Sequence, residues 1–185
     1  MSRDTKLDIS TLREGDIVFV SDGFPFSWVT QLVTRSKVTH CGQLVDKYSN
    51  GRLYIGEMIG DLKKDNDLDF NSLKRYTKKP RWNGKIVAIK RSKVYDSIKT
   101  RVNLRKRLRR LKANYNFKAL TSYITKAPVK NKKDLICSGL VCYQSAIDGV
   151  PWSQALREYA PSPAELYRDN LPNLETVYFN KRFKK

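Results

Sequence analysis

Short apolar runs recur along the chain between polar residues and turn signals, and each run has the length of a β-strand. The first run follows Gly15 and ends before Gly23, where small and polar residues resume. The dipeptide Asn50-Gly51 is a hairpin signal, and it predicts that the runs on either side of it pair as neighbouring antiparallel strands. The apolar runs predict strands at residues 16–20, 38–45, 53–59, 85–90 and 176–179.

Apolar residues at three- and four-residue intervals predict helices elsewhere in the chain. Ser162, Pro163 and Glu165 form a helix-start signature, with serine at the N-cap and proline at the first helical position. Residues 60–84 are polar and charged, and they predict a long irregular excursion. The helical spacings lie at residues 26–34, 90–112 and 135–147.

The order of these elements indicates the fold class. A strand, a helix, a group of strands, a long helix and a helix-rich second half predict an α+β protein, with an antiparallel sheet packed against helices. The sequence has no internal repeat and no clear linker. We therefore expect a single domain over residues 1–185.

Length and composition are those of a globular protein. The chain has 185 residues, of which 40% are hydrophobic, so it can bury a core and wholesale disorder is excluded. No apolar run approaches the ~18 residues that a membrane-spanning helix needs. The first residues lead into polar sequence without the apolar core of a signal peptide. We expect a cytoplasmic protein with reduced cysteines, or a virion-associated one if it is phage-encoded.

The charge balance adds a possible class of partner. Lys and Arg number 37 against 18 Asp and Glu, which gives a net charge of +19 at pH 7. Such a field attracts nucleic acid, an anionic membrane or an acidic partner, although basic composition also serves solubility. The outer face of the basic helix at 90–112 supplies the candidate phosphate contacts: Arg101, Arg105, Lys106, Arg109, Arg110 and Lys112.

One histidine and one cysteine stand where catalytic chemistry is favoured. His40 is the sole histidine and lies inside a predicted strand, where it is either a core residue or a general base. Cys137 lies where a polar approach becomes an apolar helix. A thiol in the first helical turn is close to backbone N–H groups and the positive end of the helix dipole, which favour the thiolate. The same N–H groups can stabilise an oxyanion.

A Cys-His pair needs a third group that orients the imidazole, and Glu57 is the candidate. It is an acid within an otherwise apolar strand that the hairpin places beside the strand of His40. A carboxylate there is costly unless it is paired, although an edge-strand glutamate facing water is the alternative. Cys41 and Cys142 have the pattern of buried small hydrophobes. Three Cys and one His lack the paired spacing of a zinc site, so we expect neither metal nor cofactor.

The order of the motifs over residues 12–168 resembles the circularly permuted, papain-like branch of the NlpC-type cysteine hydrolases, the YiiX-like group. The matching elements are a Gly-Asp strand, a histidine strand, an acid in the next strand, a Tyr-Asp-Phe-like element, a cysteine helix start and a Ser-Pro-Ala helix. In this sequence they are residues 15–19, residues 34–42, Glu57, residues 115–117, residues 137–141 and residues 162–166.

This resemblance implies a papain-like fold in which the histidine precedes the cysteine in sequence. It maps the nucleophile onto Cys137, the general base onto His40 and the orienting acid onto Glu57. The implied reaction is acyl transfer through an acyl-enzyme, on a peptide-like or acyl substrate with an amide, isopeptide or ester bond. Gly139 and Asn116 depart from the acids that the family carries there, so we expect different substrate contacts.

A second hypothesis uses the same scaffold without catalysis. In it the chain is a basic nucleic-acid-binding or virion-associated protein on a degenerate hydrolase fold, and its basic helix contacts phosphates. The two hypotheses are compatible, because a cationic helix can bring a hydrolase to an anionic target.

Overall fold

The computed structural model describes nine segments of the chain. They are residues 7–21, 27–47, 52–59, 68–77, 85–93, 114–115, 134–147, 161–168 and 174–183.

A six-stranded antiparallel sheet is the largest element of the described residues. The strands of the described residues are β1 (Ile17–Ser21), β2 (His40–Lys47), β3 (Leu53–Met58), β4 (Leu68–Ser72), β5 (Lys85–Ser92), β6 (Asn114–Tyr115), β7 (Asp134–Leu135) and β8 (Leu174–Phe179). The six strands of the sheet lie in the order β4-β3-β2-β1-β5-β8. A separate parallel pair joins the two-residue strands β6 and β7.

Four α-helices and two single-turn 3-10 helices accompany the strands in the described residues. The α-helices are α1 (Ser27–Thr34), α2 (Lys74–Thr77), α3 (Cys137–Ile147) and α4 (Pro163–Arg168), and the 3-10 helices are Ile9–Thr11 and Lys181–Phe183. The predicted start of α4 forms a capping box. The Glu165 N–H donates to the Ser162 hydroxyl at 3.2 Å, and the Ser162 N–H donates to the Glu165 carboxylate at 2.7 Å. Sheet and helices together are compatible with the α+β class.

The buried side chains form two apolar clusters, as expected for a sheet whose side chains alternate between two faces. One cluster contains Phe19 and Cys41 together with Leu140 and Val141 of α3. The other contains alternate positions of the same strands, such as Val18 and Leu44, with Tyr76 of α2. The sheet therefore separates α3 from α2, and residues at the end of β2 lie between the two.

Several predicted boundaries need correction. The second strand begins at His40 and not at Val38. Residues 60–84 are not irregular throughout, because β4 and α2 lie within them.

The predicted basic helix does not begin at Lys90, because β5 continues to Ser92. Arg91 is buried there and binds the Asp16 carboxylate through two contacts, from Nε and Nη2, each of 2.8 Å. Asp16 also accepts the Arg13 N–H at 2.8 Å, and Arg91 donates to the Thr11 carbonyl. This internal ion pair keeps Arg91 in the strand. The remainder of the predicted helix, from residue 94, lies outside the described residues.

A turn positions Asp16 for this contact. Gly15 has a φ of 89°, in the left-handed region that glycine adopts without steric cost. Its N–H donates to the Leu44 carbonyl of β2 at 2.7 Å. The Gly-Asp pair therefore joins β1 to β2 through the backbone and to β5 through the ion pair.

Replacing Arg91 by alanine leaves the buried carboxylate of Asp16 without its cation. We expect the free energy of unfolding to fall by about 3–5 kcal/mol, measured by urea denaturation. Lys37→Ala is the matched control, because it removes the same charge from an exposed position and should change stability by less than about 0.5 kcal/mol. Equal losses in the two variants would contradict a structural role for the ion pair.

Candidate active site

His40 and Glu57 lie side by side on neighbouring strands. The His40 Nε2 and Glu57 Oε2 atoms are 2.6 Å apart, and the carboxylate belongs to a residue that is 0% exposed. Gly42 permits this close approach of β2 and β3. A Cβ atom at position 42 would lie 2.5 Å from Ile55 Cγ2 and 3.1 Å from Glu57 Cβ, so a larger side chain there would displace the strand of the carboxylate.

Two further side chains donate hydrogen bonds to the Glu57 carboxylate. The Tyr76 hydroxyl donates to Oε2 at 2.6 Å, and the Asn71 amide donates to Oε1 at 3.0 Å. Tyr76 lies on α2 and Asn71 on β4. Both belong to residues 60–84, whose polar sequence predicts an irregular segment. Three donors thus satisfy a carboxylate that would otherwise be costly to bury.

Cys137 is the first residue of α3, at the end of the helix that carries the positive dipole. The first helical hydrogen bond runs from the Leu140 N–H to the Ile136 carbonyl, so the preceding N–H groups of this turn have no helical acceptor. The Ser138 hydroxyl donates to the Pro161 carbonyl and ties the start of α3 to the segment before α4. Packing of α3 against β2 brings the thiol to His40.

The thiol and the imidazole stabilise each other's charged forms. Burial has the largest effect on the pKa of the His40 imidazole and lowers it. The charge of Cys137, a hydrogen bond with it and the contacts with Glu57 outweigh burial, so the pKa lies well above its ordinary value. Since Nε2 contacts the carboxylate, Nδ1 is the ring nitrogen left to face the thiol.

Cys41 favours the thiolate form of Cys137. The hydrogen bond from the Cys41 thiol is the largest effect on the pKa of the Cys137 thiol and lowers it. Burial opposes this, but the charge and hydrogen bond of His40 and the backbone N–H of Cys41 lower the pKa further, to well below that of an ordinary thiol. Burial and the neighbouring Cys137 raise the pKa of the Cys41 thiol, so Cys41 stays protonated and donates.

The Cys137 sulfur is shielded from solvent, whereas the His40 ring is slightly exposed. Cys137 is 2% exposed, whereas the His40 side chain keeps 11% of its surface accessible. The exposed part of the pair therefore belongs to the imidazole, and low exposure at the sulfur favours small reagents over bulky ones.

The structure brings together the three residues that the sequence singled out for catalysis, and it adds Asn71, Tyr76 and Cys41. The interpretation of Cys41 as a plain buried hydrophobe is incomplete, because it is buried and also hydrogen-bonded to Cys137. The cationic residues between 101 and 112 lie outside the described residues, so their contact with phosphate stays a prediction.

Within the described segments, no group of three or more His, Cys, Asp or Glu side chains is arranged to hold a metal ion. No helix in these segments combines the length and the apolarity needed to cross a bilayer.

The charged pair should be visible in the alkylation of Cys137 by iodoacetamide, followed by peptide mass spectrometry in a Cys142→Ser background. We expect the rate to rise with pH at values well below those of a free thiol and to have levelled off by neutral pH. His40→Ala removes the cation and should move the profile to higher pH, with about a tenfold slower rate at acidic pH for each pKa unit regained. Superimposable profiles in the two proteins would contradict the pairing.

Tyr76→Phe removes one donor from a buried carboxylate and keeps the ring. We expect the free energy of unfolding to fall by about 1–3 kcal/mol, measured by thermal and urea unfolding. Tyr167→Phe is the control, since the Tyr167 ring packs on Phe19 and Lys90 away from the carboxylate. A loss for Tyr76→Phe no larger than that of the control would show that the hydroxyl does not support Glu57.

Comparisons with known proteins identify no family for this chain. No protein-family model matches it, and no curated protein matches it. Among solved structures it is similar to the metalloprotein YiiX from Escherichia coli O157:H7, with 23% sequence identity and a TM-score of 0.45. The match covers 92% of this chain and 90% of that one.

Proposed function

We propose that the protein is a cysteine hydrolase in which Cys137 is the nucleophile, His40 the general base and Glu57 the residue that orients the base. One observation carries the proposal: the imidazole contacts a buried carboxylate at Nε2, and the thiol at the start of α3 hydrogen-bonds to the same ring. Acyl transfer by a cysteine hydrolase uses these three groups: a nucleophile, a base that contacts it and an acid that orients the base.

Each residue has a defined role in acylation. The Cys137 thiolate attacks a substrate carbonyl carbon, and the imidazolium of His40 protonates the leaving amine or alcohol as the bond to the carbonyl breaks. Glu57 stabilises the imidazolium and holds its orientation, and Asn71 and Tyr76 hold Glu57. Water activated by His40 then hydrolyses the thioester and regenerates the thiolate.

The start of α3 also supplies charge stabilisation. The N–H groups of the first turn, at Cys137 and the residues after it, have no helical carbonyl acceptor. They lie beside the nucleophile, so they are candidates to donate to the oxyanion of the tetrahedral intermediate. The positive end of the helix dipole also lies here, and it stabilises the negative charge of the oxyanion.

The proposed architecture is permuted and papain-like, with the base on β2 preceding the nucleophile on α3 in sequence. The substrate class is a peptide-like or acyl compound whose amide, isopeptide or ester carbonyl reaches the thiolate. A low exposure at Cys137 favours a slender acyl group over a bulky one. Nucleic-acid binding through the basic segment remains a separate prediction.

Turnover of p-nitrophenyl acetate tests the proposal, because this small ester reports acylation and deacylation separately. We expect a burst of p-nitrophenol close to one equivalent per protein, and an acetyl group on Cys137 in the quenched sample by mass spectrometry. Cys137→Ala and His40→Ala should lower the rate by about 10²–10⁴-fold, whereas Cys142→Ser should leave it unchanged.

Two controls separate catalysis from nonspecific thiol chemistry. Far-ultraviolet circular dichroism should show that all variants are folded, and Glu57→Gln should slow the reaction while Cys137 remains present. Hydrolysis that persists in Cys137→Ala, or acetylation found on Cys142 in place of Cys137, would overturn the assignment.

A further inference from the structure

The proposed hydrolytic mechanism uses one of two thiols that lie in contact. Cys41 on β2 and Cys137 on α3 are both buried and belong to the same cluster. Their side chains are hydrogen-bonded, with Cys41 as the donor, and the backbone N–H of Cys41 also points to the Cys137 sulfur. Both cysteines are reduced in this structure. A nucleophile with a second thiol against it has the arrangement of a peroxidatic and a resolving cysteine.

We infer that Cys41 and Cys137 form an oxidative modification site, in which a small hydroperoxide converts the pair to a disulfide that reversibly blocks the nucleophile. The hydroperoxide is the oxidant, and each molecule consumed accepts two electrons. The inference requires a nucleophilic Cys137 and a neighbouring Cys41, and it does not require that the protein hydrolyse any substrate.

The first step oxidises Cys137. Its sulfur attacks the terminal oxygen of the hydroperoxide, an S–O bond forms and the O–O bond breaks. The leaving hydroxide or alkoxide takes a proton from the His40 imidazolium, so the products are a sulfenic acid on Cys137 and water or an alcohol. The His40 side chain beside this sulfur keeps 11% of its surface accessible, so the step is written for a small oxidant.

The second step joins the two sulfurs. The Cys41 sulfur attacks the Cys137 sulfur, an S–S bond forms and the S–O bond breaks. The Cys41 proton leaves with the hydroxide as water, so two thiols and one hydroperoxide give one disulfide, one water, and one further water (from hydrogen peroxide) or alcohol (from an organic hydroperoxide). A disulfide requires the two sulfurs to approach to about 2.05 Å, and the two thiols are already neighbours within one buried cluster.

The environment of the pair favours this outcome over irreversible oxidation. Cys137 is the member that reacts with peroxide, because its neighbours favour the thiolate. Cys41 is fully buried, so it stays reduced until its partner is oxidised. Cys142 on α3 is partly exposed and is the competing partner that an experiment has to exclude.

Peptide mapping distinguishes the possible disulfides. Trypsin places Cys41 in peptide 38–47, and it places Cys137 and Cys142 together in peptide 134–157. The full-length Cys142→Ser protein is reduced, treated with equimolar hydrogen peroxide, denatured in N-ethylmaleimide and digested. We expect a cross-linked pair of these two peptides with the loss of two hydrogens, and full recovery of both thiols after dithiothreitol.

The matched variant removes the resolving thiol in the same background. Without Cys41, in Cys41→Ser or Cys41→Ala, no cross-link can form. With two or more equivalents of hydrogen peroxide, Cys137 should then pass to the sulfinic acid, which dithiothreitol does not reverse. Thermal unfolding of the reduced variants checks that they fold. If neither folds, the Cys142→Ser protein alone still decides the question through its cross-link.

Three results would overturn the inference. They are sulfinic acid on Cys137 while Cys41 remains fully alkylated in Cys142→Ser, a link within peptide 134–157 in the wild-type protein, and no reaction of Cys137 with peroxide. A disulfide without ester turnover would leave this inference standing and contradict the proposed hydrolase. An acetyl-enzyme without a disulfide would do the reverse.

Discussion

The buried carboxylate of Glu57 is the constraint around which one half of the sheet is arranged. A charge with no exposed surface requires several donors, and three elements supply them: β2 with His40, β4 with Asn71 and α2 with Tyr76. The contact between His40 and Glu57 also requires β2 and β3 to pack closely at Gly42, where a larger side chain would not fit. Contact with Glu57 raises the pKa of the His40 imidazole, and the imidazole in turn lowers the pKa of the Cys137 thiol, so each residue favours the charged form of the next.

The buried ion pair of Asp16 and Arg91 stabilises the other side of the sheet. Asp16 and Arg91 join β1 to β5, while the turn at Gly15 joins β1 to β2. The strand of His40, β2, therefore pairs with β1 on one side and with β3, the strand of Glu57, on the other. This support matters for chemistry, because proton transfer requires the base and the nucleophile to keep hydrogen-bond geometry.

Sequence patterns predicted the elements that carry His40, Glu57 and Cys137, because local signals mark them: an apolar run, a hairpin dipeptide and a polar-to-apolar boundary at a helix start. The residues that complete the site were harder to predict. Asn71 and Tyr76 lie in short elements whose order comes from pairing with β3 and from contact with Glu57 and not from local periodicity. Adjacent residues of a strand point to opposite faces of the sheet, so the strand pattern does not bring Cys41 and His40 to one partner, yet Cys137 at the start of α3 interacts with both. The extension of β5 to Ser92 likewise depends on partners far along the chain, which are β8 for its backbone and Asp16 for the Arg91 side chain.

The protonation state of His40 tests the central claim most directly, and the chain has a single histidine, so its imidazole signals need no assignment by mutation. A titration followed by nitrogen-15 nuclear magnetic resonance should show an imidazolium that persists to pH values well above the ordinary histidine pKa of about 6.5. In Cys137→Ala the thiolate is absent, and the titration should move to lower pH. A ring that is neutral at pH 7 in the wild-type protein, or that titrates identically in Cys137→Ala, would contradict a thiolate–imidazolium pair supported by Glu57.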